Sequence, residues 1–476
     1  MRRLDEIASQ HALSVSLALR AIGLVSLCAF VSLHVQIAGL FGAHGIDPMA
    51  LRLERLASQL ESPMMQAPTL FGWFGGSDLA MSLTCIVGEL ASVAMIFAAL
   101  GPIAPLIAYA AYLSFVSLGA PFLPLQWDTL LTESLIVAAI ASPWTMRPVA
   151  FTKPHPPHPI ALFALWLLVG RLMFAAGYVK LASGDDVWRD LTALDYHFET
   201  QPLPTRAGYL LHFGPAFLRR AGVVMTFVVE LVLPFAIFFG QLGRRIAAMG
   251  FVSLMLLIAI TGNYGFFDIL ALALTISLVD DAVFHRGMRR ISFTSISTTH
   301  RARHAPAVLA GAQMLLALLT LFGTLGAGTY VPEAIDPFRV ANHYGLFAVM
   351  TRERPIVVFE GSDDGVTWHE YDYRWQSGDP ARPPAVCMPH MPRVDWMVWF
   401  AGLGGGEPEA WIVRTEIALL EARPDVLALF GSDPFHGRAP RLVRAIRYQY
   451  VFAPPGDRDW WSRSDGEPYG PTLRRE

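Results

Sequence analysis

Charge is scarce in this chain. Asp, Glu, Lys and Arg make up 16% of its 476 residues, against about a quarter in an ordinary soluble domain. A shortage of that size argues against a simple water-soluble enzyme. Cysteine is nearly absent as well. Cys28 and Cys85 lie in apolar runs, and Cys387 stands alone in the polar last third. No CxxC pair exists, so a thiol–disulfide relay within the chain has no support, and the polar part cannot close a disulfide of its own. The net charge of −3, with no basic stripe interleaved with aromatics, argues against a nucleic-acid partner. There is no N-x-S/T sequon, because Asn263 and Asn342 both lack the hydroxyl residue two positions on; this fits a bacterial protein. The G-x-S-x-G elbow of α/β-hydrolases is missing. So are a Walker A sequence, HExxH, an EF-hand loop and any zinc-ligand spacing, and no metal or other cofactor is expected. No internal repeat or low-complexity tract occurs.

What the chain has in abundance is apolar sequence, at 54% of residues. A membrane span needs about 20 mostly apolar residues. Candidate stretches are 20–42, 79–100, 102–121, 127–143, 159–181, 221–241, 246–262, 264–280 and 305–329, so the reading is a multi-span α-helical membrane bundle of about nine spans. The N-terminal run, from near Leu13 to Leu40 with Arg20 and His34 inside it, is too long for a signal-peptide core and reads as a retained first span. Residues 44–78 and 183–220 mix aromatics with charges, as interfacial helices do. With the N-terminus inside, the cytoplasmic segments carry Arg2, Arg3, Arg147, Lys153, Arg244, Arg245, Arg286, Arg289, Arg290, Arg301 and Arg303, and residues 291–300 form a polar cytoplasmic loop. The opposite loops carry Arg52, Arg55, Arg189, Arg206, Arg219 and Arg220. This moderate bias and an odd span count put the C-terminus outside.

Residues 1–331 are therefore expected to form the polytopic part, and residues 332–476 a mixed α+β soluble domain with a small antiparallel sheet. Ile356–Phe359 reads as a strand, and Ser362-Asp363-Asp364-Gly365 as a hairpin turn. Trp368–Trp375 alternates, which puts Tyr371, Tyr373 and Trp375 on one face of a second strand. Trp396, Trp399 and Phe400 recur at helical spacing, and Ala410–Leu420 continues as a helix after Pro408. Ile446, Tyr448, Tyr450 and Phe452 alternate as a late strand, and the closing segment with Trp460-Trp461 wraps the surface without regular structure.

The elements RVANHYGLF from Arg339, RPIVVFEGSDDGVTWHEY from Arg354, Pro383-Pro384, PHMPRVDWMVWFA from Pro389, RAIRYQYVFA from Arg444 and the Trp460-Trp461 pair resemble the C-terminal domain of lipase maturation factors. WDTLLTES at 127–134 and TGNYGFFDIL at 261–270 look like elements of the same family. The resemblance covers most of the chain and is least in 1–75 and 281–330. It implies a multi-span protein that assists folding of secreted lipases, with its C-terminal domain in contact with the client. In vertebrates the family acts in the endoplasmic reticulum, where that domain would be lumenal. In a bacterium the chain would sit in the inner membrane with the domain in the periplasm. The implied partners are exported proteins, lipases among them, and the bilayer.

Several residues stand out against this background. Glu89, Asp128, Glu133, Arg171, Glu230 and Asp268 are ionisable groups in apolar runs, each costing about 2.5–3.5 kcal/mol if it faced lipid at mid-bilayer. Arg171 is the main cation available to Asp128 or Glu133. The set is either an ion-paired lock between helices or a polar cavity for a small molecule or proton, the second making a membrane enzyme or redox protein the alternative function. A transporter is a third reading, though no inverted repeat supports it. Lys180, near a span end, reads as snorkelling to the interface. In the polar part, Asn342, His343, Tyr344, Trp368, His390, Arg393, Asp395, Trp396 and Trp399 are candidate client-binding residues. The competing readings are a structural polar network, with Arg393 and Asp395 paired to each other or capping a helix, and plain core packing of the aromatics.

Overall fold

A computed structural model describes residues 2–287, 304–328, 330–405 and 407–475. The expected loop 291–300 and Arg289, Arg290, Arg301 and Arg303 lie outside the described residues. Among those described, five helices are long and apolar enough to cross a membrane: Ala12–His34, Asp78–Ile96, Pro159–Ala182, Gly240–Thr261 and His304–Thr324. The other four expected stretches are helical but short or interrupted. Ile103–Leu118 and Gln126–Ala141 have 16 residues each, about 24 Å of helix at ~1.5 Å per residue, less than a hydrocarbon core of about 30 Å. Ala216–Phe227 continues through the π-helical turn Val228–Val232 into Leu233–Ala236. Phe267–Thr275 tightens into a 3-10 turn at Ile276–Leu278. Helix length alone thus gives five spans rather than nine.

Local chemistry sets the helix starts. The Ser77 hydroxyl accepts the Ala80 N–H ahead of Asp78–Ile96, and Pro159 occupies the first turn of Pro159–Ala182, where its missing N–H costs nothing. The first long helix lies against Asp78–Ile96 with Gly88 flush on the Phe30 ring, and the hydroxyls of Ser26 and Ser92 meet at 2.8 Å across the contact. Small residues allow this close approach, as between helices in lipid. Segments 44–78 and 183–220 form short helices, among them Met49–Gln59, Ala193–Thr200 and Arg206–His212. Trp73 and Phe74 are exposed in the first of them.

The C-terminal part holds a six-stranded antiparallel sheet: β1 (Pro355–Ser362), β2 (His369–Glu370), β3 (Leu442–Phe452), β4 (Trp461–Arg463), β5 (Glu467–Pro468) and β6 (Leu473–Arg474). β1 pairs with β3 from Pro355↔Gln449 to Ser362↔Leu442, and β2 lies on the outer edge of β1. Helix Arg393–Leu403 crosses β1, and Ala410–Leu420 lies against β3. The expected hairpin turn is present: Gly365 has φ +76, and one Asp364 oxygen accepts the Val366 and Thr367 N–H groups at 2.8 and 2.7 Å.

Two expectations are corrected. The strand expected over Trp368–Trp375 shrinks to β2, because the backbone beyond it bonds elsewhere. The Asp372 carbonyl accepts the Gly431 N–H at 2.7 Å, and the Trp375 and Gln376 N–H groups go to the Asp395 carboxylate. Tyr371 and Tyr373 are nonetheless buried, as their alternation requires. The closing segment is also not irregular. It supplies β4, β5 and β6, which satisfy the edge of β3 that β1 leaves free.

Candidate functional site

Three ionisable residues of the membrane part, Asp128, Glu133 and Arg171, converge where the bundle meets the C-terminal domain. Glu133, on Gln126–Ala141, is fully buried and uses both oxygens. Oε1 accepts from the Arg171 guanidinium and from Gln313 Nε2 at 3.0 Å. Oε2 accepts the Asn342 N–H at 3.0 Å and the Tyr344 hydroxyl at 2.7 Å. Arg171, on Pro159–Ala182, also donates to the Asn342 carbonyl at 2.9 Å and to the Thr320 hydroxyl, and lies 5.1 Å from the Tyr344 ring centre. Asn342 Nδ2 donates to the carbonyls of Thr129 and Arg339 at 3.1 and 2.9 Å. One carboxylate thus joins three bundle helices to the start of the C-terminal domain.

A second pair lies five residues earlier on the same helix. Asp128 takes the Arg393 guanidinium in a two-pronged grip, both bonds 2.7 Å, and accepts the Tyr112 hydroxyl at 2.7 Å and the Leu125 N–H at 2.9 Å. Arg393 gives a further bond to the Phe122 carbonyl at 3.1 Å. Both charges are buried. Such a pair survives burial only when the remaining donors and acceptors are satisfied too, as they largely are here. Arg171 therefore serves Glu133 alone, and Asp128 finds its cation in the C-terminal domain. Arg393 and Asp395 do not pair with each other: the Asp395 carboxylate accepts the backbone N–H groups of Trp375 and Gln376 at 2.7 and 2.8 Å, and burial pushes its pKa up to about 6.

Lys180 does not snorkel. Its ammonium is buried against Glu230, 2.9 and 3.0 Å from the two oxygens, and 5.4 Å from the Trp188 ring centre. Glu89 pairs with the His34 ring at 2.9 Å. Asp268 joins neither cluster: it is fully buried on Phe267–Thr275, and neither carboxylate oxygen has a hydrogen-bond partner among the described residues.

The candidate client-binding residues divide by exposure. Asn342, Tyr344, Arg393, Asp395, Trp396 and Trp399 are buried and offer no surface to a partner. Trp399 Nε1 donates to the Thr200 carbonyl at 2.8 Å, and the Trp396 ring meets Trp127 edge-on at 4.7 Å. Trp368 is half-buried under the Arg444 guanidinium, His390 is half-buried with Nδ1 3.0 Å from the Ser32 hydroxyl, and His343 is exposed with Nδ1 3.0 Å from the Thr324 hydroxyl. Sequence reasoning missed Arg354, a buried guanidinium that donates to the carbonyls of Gln201 and Pro202 and to Gln376 Oε1 at 2.5 Å. The one available signal was a long charged side chain immediately before a strand. Among the described residues no three His, Cys, Asp or Glu side chains are grouped to hold a metal ion.

The family model described as the lipase maturation factor transmembrane domain matches residues 13–286, and the one described as the lipase maturation factor C-terminal domain matches residues 340–471. The chain belongs to the lipase maturation factor family. It is 33% identical to human lipase maturation factor 2 over 96% of this chain and 82% of that protein. It is 29% identical to mouse lipase maturation factor 1 over 96% of this chain and 86% of that protein. No solved structure matches it. The bundle is accordingly a membrane domain. Asp128, Glu133 and Arg171 fall in the first matched segment and Asn342, Tyr344 and Arg393 in the second, so both buried ion-pair clusters join the two units of this family.

Proposed function

We propose that this protein is a membrane-anchored maturation factor that helps exported proteins, lipases among them, reach their active form. The observation that carries the reading is the similarity to lipase maturation factors along almost the whole chain. The geometry supports it from another side. Glu133, Arg171, Asp128 and Arg393 spend their charges on fastening the C-terminal domain to the bundle, which suits a rigid platform for a client better than a reactive centre.

In this reading residues 1–331 anchor and residues 332–476 present, and all nine apolar helices are membrane passages. Support for nine comes from their ends, which alternate between two faces. Ser32, Gln126, Asn263 and Thr324 contact the C-terminal domain at one face. At the other, Asp281 accepts the Leu13 and Ser14 N–H groups, and Gln241 meets Gln10. An odd number of passages separates the N-terminus from the domain, which would be periplasmic in a bacterial inner membrane or lumenal in the endoplasmic reticulum. The client surface would centre on Trp368 beside Val366, the latter 83% exposed at the hairpin tip, with His343 as a separate exposed candidate.

The second reading, an intramembrane enzyme or redox protein, is favoured by Asp268, whose buried carboxyl has no hydrogen-bond partner among the described residues. Deleting the gene and comparing the activity of secreted lipases with their antigen tests the proposal. A fall in activity per molecule is expected; unchanged specific activity of every secreted lipase would count against it.

A further inference from the structure

A cavity of about 530 Å³ lies between the second half of Pro159–Ala182, the helix running from Ala216 through the π-helical turn, and the second half of Gly240–Thr261. Its size is that of a ligand pocket, commonly about 300–1,000 Å³. The inner wall is made by apolar side chains such as Leu172, Met173, Met225, Leu254 and Met255. Its roof comes from the C-terminal domain: Phe347, a bulky residue in the left-handed region at φ +55, and Met350. The roof is tied down, because Trp188 Nε1 donates to the Phe347 carbonyl at 3.0 Å and the Met350 N–H goes to Asp185 at 2.8 Å. A left-handed bulky residue held this firmly is the kind of strain that collects around ligand sites.

The charged groups in the wall are already engaged. Lys180 and Glu230 hold each other, Lys180 also donates to the Ala176 carbonyl at 3.2 Å, and Arg219 is paired with Asp195. His197 in the same wall has its Nε2 3.1 Å from the Tyr264 hydroxyl and its Nδ1 without a hydrogen-bond partner among the described residues, so the wall offers a neutral ring nitrogen but no free charge to an ionic headgroup. Leu218, Ala221 and Leu257 line the cavity and are exposed. They sit on two neighbouring helices whose outer faces carry the exposed Phe217, Val224, Leu256 and Ile260. The mouth thus opens onto a largely apolar outer surface. Apolar cavities do not fill with water, and an apolar guest enters them readily. A void this large with a greasy mouth beside lipid takes the guest its surroundings supply.

We propose that this cavity is a lateral lipid site, occupied by an acyl chain of a bilayer phospholipid that enters between the helix beginning at Ala216 and Gly240–Thr261 while its headgroup stays outside. The site goes beyond the maturation role and does not depend on it. The bound chain props the Phe347–Met350 roof, so it couples the membrane to the C-terminal domain.

The test uses the full chain in nanodiscs containing phosphatidylcholine with a diazirine in one acyl chain, with crosslinks mapped to peptides. A parallel arm in detergent uses diazirine-bearing free palmitate. The expected result is labelling by the phospholipid at Met173, Met255 and Phe347, several-fold above that on the equally apolar outer face of Ile103–Leu118, and its loss in Ala176→Phe, which fills the cavity. Equal labelling of both regions, labelling that survives Ala176→Phe in a folded variant, or labelling by palmitate alone would overturn the site. Hydroxyl-radical footprinting of the unaltered protein keeps the proposal falsifiable if Ala176→Phe does not fold. Met173 and Met255 protected from oxidation fit an acyl chain; their ready oxidation means a wet cavity and contradicts it.

Discussion

Arg393 shows what a single residue does in this protein. Its guanidinium reaches out of the C-terminal domain to meet a carboxylate 265 residues earlier in the chain, in a place where neither charge touches water. Removing one partner of such a pair leaves the other stranded, at a cost of about 3–5 kcal/mol. Arg393→Ala and Asp128→Asn are each expected to lower the stability of the detergent-purified protein by that order, and the double variant by clearly less than the sum. Chemical unfolding of all three variants measures it; additive losses would mean the pair is not coupled. Glu416 gives a second test. It is fully buried in the C-terminal domain with neither oxygen in a well-formed hydrogen bond among the described residues, and burial, opposed only weakly by the nearby Ala445 backbone, pushes its pKa from 4.5 up to about 8. The folded state therefore keeps a proton that the unfolded chain loses near its ordinary value. The stability this confers is full below about 4.5 and is lost as pH rises through about 8. Glu416→Gln is expected to remove that loss, so thermal melts of the two proteins should diverge as pH climbs from 5 to about 9, with the variant the more stable at the alkaline end. At this scale the sequence was partly legible. Arg171 stood out as the cation for Asp128 or Glu133, opposite charges in apolar runs, and only the structure assigns it to Glu133. Asp128 and Arg393 did not, because nothing local links residues so far apart. Lys180 was misjudged because its position near a helix end says nothing of Glu230 facing it from another helix.

At the scale of elements, periodicity reported burial more faithfully than hydrogen bonding. The alternation of Tyr371 and Tyr373 placed both rings in the core, yet the strand it implied is cut short because Asp395, from a distant helix, captures the amides of Trp375 and Gln376. The short strands of the closing segment were invisible for the opposite reason. They contain two or three residues each and exist because β3 has an edge to cover. All nine apolar stretches became helices, but three fell short of a full membrane thickness and a fourth, from Ala216 to Ala236, is long enough but broken by a π-helical turn. The helix Arg393–Leu403 is as much a part of the junction as of the domain, since Arg393, Trp396 and Trp399 all bury themselves against groups from the membrane part. Residues 332–476 expressed alone are therefore expected to lack a cooperative thermal transition and to aggregate, which circular dichroism and gel filtration would detect. A monomeric fragment with a sharp melt would mean the junction adds little.

Across the whole molecule, the buried contacts of Glu133, Asp128 and Arg354 make the bundle and the C-terminal domain a single body. Fold class and family could be read from the sequence, because long apolar runs and long ordered motifs are properties of contiguous chain. The junction could not, because it is made of residues brought together from both ends. Buried contacts of this kind fix the domain against the bundle, so whichever side of the membrane holds the domain also holds Val366 and Trp368. Replacing Trp368 with Ala and Val366 with Ser is expected to reduce the activity of a co-expressed secreted lipase per molecule while leaving the melting temperature of this protein unchanged, and a parallel melt and enzyme assay would check both. The measurement that goes most directly to the central claim is a pair of reporters fused after Glu476, a phosphatase that works only on the exported side and a fluorescent protein that matures only in the cytosol. The account predicts an active phosphatase and a dark fluorophore. A bright fluorophore with a silent phosphatase would put the domain where no exported lipase passes and would contradict it.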